Sequence, residues 1–194
     1  MTPRPSDAAP ADATPATDAA KPLRLIGLGL LMLLILPNYR GWDLLPDWLG
    51  WTLVLIGSAV FTRTMTSNRP LLWAAVGAII SAAVLWPPEW NDAINDAPKS
   101  VLWAILLPRV AWSVLFCLAC SARAWREPVS SVWWKYLAIM HIAVGVLPIL
   151  VYGGGMTGLE DTLRTLDLLA LICTMALAFW HSGRAWAVTP RDKG

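Results

Sequence analysis

Arg109 stands in the run AILLPRVAWSVLF, residues 104–116, with Pro108 directly before it. Both residues are costly in apolar surroundings. A charge near a bilayer centre costs roughly 2.5–3.5 kcal/mol on insertion scales. A proline inside a helix frees the carbonyl four residues back, here that of Ala104, and is expected to kink the helix. Arg109 therefore faces protein or water rather than lipid. Its candidate partners are the Ala104 carbonyl, Asp167, and the aspartates Asp43 and Asp47. The residues allow an ion pair locking two helices, a ligand or anion site at the kink, or a snorkelling contact with lipid. His141 falls near the middle of another apolar run, where an ionisable group is a functional candidate. Arg109, Asp167, His141 and Pro108 thus form a candidate intramembrane polar site, and Asp43 and Asp47 a candidate acidic vestibule at its outer side.

The remaining reactive residues point to packing. Cys117 and Cys120 form CLAC, a C-x-x-C pair on one helix face, a spacing suited to thiol redox work or metal binding. They lack a second pair and sit beside a reducing compartment, so a packing role is expected. Cys173 stands alone, and His181 lies at the edge of an apolar run. No nucleophile elbow, zinc-protease motif, phosphate-binding glycine loop or carboxylate cluster occurs. Gly153–Gly155 reads as a flexible turn. The expectation is a protein without catalytic site, metal or cofactor.

The elements that must hold these residues follow from hydropathy. Of 194 residues, 57% are hydrophobic and 14% charged, and the mean hydropathy is +0.54. A soluble domain is nearer a quarter charged. Six apolar runs lie at 23–37, 46–62, 70–86, 100–121, 132–152 and 162–180, each about the length of a membrane span. The first and third are short, and Arg24 can snorkel to lengthen the first. Proline or glycine marks most connections. The expected fold is an all-α polytopic bundle of six transmembrane helices over 22–187. Residues 1–21, rich in Ala, Pro, Asp and Thr, are expected to form a disordered tail, and 188–194 a second short tail. A secretory signal competes for the first run, but PNYRGWD after it lacks a cleavage pattern.

Basic residues set the threading. With the N-terminus in the cytoplasm, eleven Lys and Arg fall inside (4, 21, 24, 63, 69, 123, 126, 135, 184, 191 and 193) and three outside (Arg40, Lys99 and Arg164). That asymmetry is a positive-inside signal. Twelve of the thirteen tryptophans fall at expected span edges, with Trp112 alone embedded; indole prefers that level. SARAW at 121–125 and SGRAW at 182–186 close two spans 61 residues apart. Three helical hairpins of similar length would give this pattern, and a true repeat would favour a central pathway. A shared taste for small residues, Arg and Trp at inner boundaries would give it too.

The stretch WDLLPDWLGWTLVLIG, residues 42–57, resembles the D-[IL]-[IL]-P-D-[FWY]-[IL]-G segment that opens a span in small, uncharacterised multi-pass bacterial membrane proteins. That resemblance implies a membrane location and carries no activity. A second pattern, D-L-[IL]-P-D-F-I-P, is similar but requires a proline and paired aspartates missing here. Physically, Pro46 suits a first helical position, Asp47 the positive end of a helix dipole, and Gly50 a close helix crossing. The expected protein is a bacterial plasma-membrane component with both termini cytoplasmic. It is read first as a non-enzymatic accessory, scaffold or assembly partner, with a small transporter or channel as the alternative and a membrane-embedded enzyme on lipid-linked substrates as the third. Its expected partners are the lipid bilayer and other membrane proteins or further copies of itself, not nucleic acid. A continuous polar track from Asp43 and Asp47 to Arg109 and His141 would favour transport; locally paired charges would favour a scaffold.

Overall fold

A computed structural model describes residues 21–35, 38–39, 42–43, 46–63, 65 and 69–188. The expected tail over 1–21 lies outside these residues except for Lys21, and that over 188–194 except for Val188.

Each apolar run contains a helix: α1 (Pro22–Leu34), α2 (Asp47–Thr62), α3 (Arg69–Leu85), α5 (Lys99–Arg123), α6 (Pro128–Pro148) and α7 (Glu160–His181). Between α3 and α5 lies α4 (Pro88–Asp96), and α8 (Ala185–Val188) follows α7. Helix α6 continues through a π-helical turn at Ile149–Gly153, and a 3-10 turn at Thr157–Leu159 leads into α7. Three of these units are long and apolar enough to cross a membrane: Lys99–Arg123, Pro128–Gly153 and Thr157–His181. A fourth arises only if α3 and α4, bent by 101° at their junction, count as one span. Helices α1 and α2, at 13 and 16 residues, reach about 20 and 24 Å at 1.5 Å per residue, short of a hydrocarbon core of about 30 Å.

Several boundaries differ from those read in the sequence. The polar connection 87–99 holds a helix, Pro88–Asp96. Pro87 and Pro88 explain both the break and the restart. A residue before proline is pushed to extended backbone, and Pro87 has φ −66° and ψ 131°. Pro88 then sits in the first helical turn with Glu89 beside it, both favourable there. Pro46 caps α2 from outside rather than opening it, and Asp47 is the first helical residue. The α1–α2 connection also holds a small antiparallel ladder, β1 (Asn38–Tyr39) on β2 (Trp42–Asp43), pairing Asn38 with Asp43 and Tyr39 with Trp42.

The long elements close into a ring. Helix α1 packs on α2, α2 on α3, α3 on α5, α5 on α6, α6 on α7, and α7 back on α1. Every long helix therefore packs against the long helices next to it in the chain, and α7 closes the ring on α1. Small residues let the backbones meet. A Cβ on Gly50 would lie 2.8 Å from the Gly29 carbonyl oxygen, one on Gly29 2.5 Å from that of Gly50, and one on Gly57 3.0 Å from the Ile26 nitrogen. Between apolar helices such close approach is a main source of cohesion.

The centre of the ring is filled with aromatic side chains. Trp112 stacks on Phe116 at 4.9 Å and meets Trp51 edge-on at 5.4 Å. Phe116 also meets Phe61 and Trp134 edge-on. The Trp112 indole N–H donates to Ser58 Oγ at 3.1 Å, which satisfies its buried polar end. Trp51 and Trp134 are buried in this core and face other helices. Trp73, Trp125, Trp133 and Trp180 are exposed.

Candidate functional site

Helix α5 is the hub of the site because consecutive residues turn by about 100° around it. Three of them meet three different neighbours. Pro108 packs against Gly77 of α3, where an added Cβ would lie 2.9 Å from the proline Cβ. Val110 packs against Gly145 of α6, with its Cγ1 at 2.9 Å from the same kind of added atom. Arg109, between them, turns to α7. The helix remains one element through Pro108, and the Ser113 hydroxyl donates to the Arg109 carbonyl at 3.0 Å one turn on.

Of the candidate partners, the structure selects Asp167. Arg109 Nη2 donates to Asp167 Oδ2 at 2.6 Å. The side chains are 26% and 31% exposed, because they line a cavity of about 250 Å³ between α5, α6 and α7. Its lining includes Lys99, Tyr152, Glu160 and Arg164 from the helix ends near the 3-10 turn. Arg164 lies 3.8 Å from Glu160, at the limit of an ion pair. The cavity therefore carries charges of both signs, with the Arg109–Asp167 pair among them.

His141 belongs to a separate arrangement. It is buried, and its Nε2 lies 2.9 Å from Thr174 Oγ1. The Thr174 hydroxyl donates to the Ala170 carbonyl at 2.8 Å. A hydroxyl has one proton and two lone pairs, so Thr174 accepts from His141, and the His141 Nε2 carries the proton. Among the described residues, no hydrogen bond joins His141 to the Arg109–Asp167 pair.

The structure does not bring Asp47 to this site. Asp47 is the first residue of α2 and does not line the Arg109 cavity. Asp43 pairs through its backbone in β2, and its side chain lies outside the described residues. Cys117 and Cys120 are both buried and carry no disulfide, and Cys173 is half-buried. Among the described residues, no group of three His, Cys, Asp or Glu side chains could hold a metal ion.

Sequence reasoning missed a buried cation. Arg123 was counted with the boundary residues, yet it is 9% exposed. Its Nη1 donates to the Phe61 carbonyl at 2.8 Å and its guanidinium lies 4.6 Å from the Phe61 ring. Arg184, its counterpart in the SGRAW stretch, is instead about half exposed and 3.8 Å from Glu127. The two similar stretches thus hold arginines with different roles. Arg24 donates from Nε to Ser182 Oγ at 3.3 Å, which ties α1 to the end of α7.

No known family matches the chain, and no match was found among curated proteins or among solved structures.

Proposed function

We propose that this protein is an integral component of a bacterial plasma membrane, crossing it six times with both termini in the cytoplasm, and acting without chemistry as an accessory, scaffold or assembly partner. Membrane residence is supported by where the apolar surface lies. Only 22%, 39% and 22% of the apolar windows of the three long units are buried within the bundle. Ile139, Ile142, Val146 and Leu150 of the α6 unit and Leu168, Leu169 and Ile172 of α7 face outward. An apolar surface that continuous needs lipid or protein against it. The bacterial assignment is supported by the resemblance of residues 42–57, and the orientation by the basic asymmetry.

One observation carries the functional reading. The ring's centre is occupied by Trp51, Phe61, Trp112, Phe116 and Trp134. Trp112 and His141 bond to near neighbours, the buried Trp134 indole N–H has no hydrogen-bond partner, and among the described residues the polar groups are not strung into a hydrogen-bonded track. Such a centre fits a body that is held rigid and presents its outer surface. Affinity purification from membranes in mild detergent tests this. Stoichiometric recovery with another membrane protein supports the reading. Recovery alone as a monomer, together with solute flux in vesicles containing the pure protein, contradicts it.

The cavity beside Arg109 and Asp167 favours a second reading, a small transporter for an anionic or zwitterionic solute. On that reading the aromatic cluster must move to open a path.

A further inference from the structure

A larger groove, of about 800 Å³, runs between α6 and α7 at the end of the bundle that holds Glu127 and Arg184. Its walls are apolar and aromatic, including Trp133, Tyr136, Met140, Leu177 and Trp180. Its head is not. Glu127 and Arg184 stand there with a 3.8 Å separation and side-chain exposures of 34% and 49%. Ser130 Oγ donates to Glu127 Oε2 at 2.9 Å, which fixes the carboxylate at the groove's mouth.

We infer that this groove seats one phospholipid with a zwitterionic phosphoethanolamine headgroup. The proposal rests on the reading that the bundle is embedded in a bilayer. The groove matches such a lipid by charge at its head and by apolar surface below it. A guanidinium has five donors and a carboxylate about four acceptor sites, so one long contact between them leaves most of both unused. The headgroup phosphate accepts from Arg184, in the planar geometry that arginine offers to phosphate. Its primary ammonium donates to Glu127. A choline headgroup has no N–H to donate, and a purely anionic headgroup places negative charge beside Glu127. Trp133, Tyr136 and Trp180 are exposed, and aromatic side chains with polar tips favour the headgroup level. The acyl chain then lies along Leu177 and Met140.

Native mass spectrometry of the full chain released from detergent tests the selection. The protein is loaded with an equimolar mixture of phosphatidylethanolamine, phosphatidylcholine and phosphatidylglycerol of matched acyl chains. Retention of one phosphatidylethanolamine, in roughly tenfold preference over phosphatidylcholine, is the expected result and corresponds to about 1.4 kcal/mol. Glu127→Gln abolishes that preference and raises phosphatidylglycerol, and Arg184→Gln lowers retention of all three phospholipids, since each carries the phosphate that Arg184 binds. Met140→Trp fills the groove and removes the bound lipid while the thermal melt stays near wild type. Equal retention of the three lipids by the wild type, or an unchanged preference in Glu127→Gln, overturns the proposal. Release of the protein from membranes by alkaline carbonate would instead overturn the embedded reading itself, whatever lipid is retained.

Discussion

Removing Arg109 should cost more than removing Arg109 and Asp167 together. Their single contact, 2.6 Å between Nη2 and Oδ2, joins α5 to α7, and its side chains are 26% and 31% exposed. That exposure places the pair between two regimes. Breaking a fully buried pair costs about 3–5 kcal/mol because it strands a charge, whereas an exposed pair is worth about 0.2–1 kcal/mol. The cavity gives the stranded group some access to water, so Arg109→Ala should lose about 1–2 kcal/mol, roughly 5- to 30-fold in the folded-to-unfolded ratio. Arg109→Ala with Asp167→Ala strands nothing and should recover part of that loss, with a coupling of at least about 0.5 kcal/mol. Reversible denaturation in mixed micelles, followed by tryptophan fluorescence, measures all four corners of the cycle. The amount of each variant retained in cell membranes gives an independent ranking. A double variant no more stable than Arg109→Ala would refute the reasoning, because the arginine's role would then not depend on Asp167.

Further expected outcomes concern packing. Gly50→Ala should destabilise by about 1–3 kcal/mol, since the new Cβ would lie 2.8 Å from the Gly29 carbonyl oxygen, while Gly153→Ala, with nothing within 4 Å, should leave the melting temperature unchanged. Ser58→Ala should cost about 1–3 kcal/mol by leaving the buried Trp112 indole N–H unpaired, measured by the same denaturation; an unchanged midpoint would show that the bond contributes nothing. Replacing Cys117 and Cys120 together with alanine should leave the yield of folded protein and its metal content unchanged, because both thiols are buried; a metal that disappears with the cysteines would show that they bind it. In the folded wild type, a thiol reagent in detergent should reach half-buried Cys173 before either of them.

What was legible in the sequence divides along physical lines. Hydropathy locates helices because each apolar run must satisfy its backbone internally, and all six runs contain one. The Arg109–Asp167 contact was legible as a candidate because both residues enter from the same side at similar depths, about nine and five residues in, and side chains tilt toward the helix N-terminus. Helix α4 was hidden by its charges, since Glu89, Asp92 and Asp96 read as a polar loop while the double proline restarts a helix there. That Trp51 and Trp134 face the core was not legible, because a tryptophan near the end of an apolar run looks the same whether it faces headgroups or a core. Arg123 was misread for the same reason: its position identifies a boundary, but its burial depends on the Phe61 carbonyl across the ring. The groove between α6 and α7 arises from how two helices sit side by side, which no single segment encodes.

Side-specific reporters inserted in the two short connections, at 36–45 and at 64–68, test the six-span threading most directly. If only the three long units cross, both connections lie on the outer side. If α3 and α4 also cross as one bent span, both lie in the cytoplasm. The two connections lie on opposite sides only if α2 crosses, and 64–68 lies in the cytoplasm with 36–45 outside only if α3 crosses as well. The account predicts that the 36–45 reporter reads exterior and the 64–68 reporter reads cytoplasm. Two reporters on the same side, whichever side it is, would contradict it.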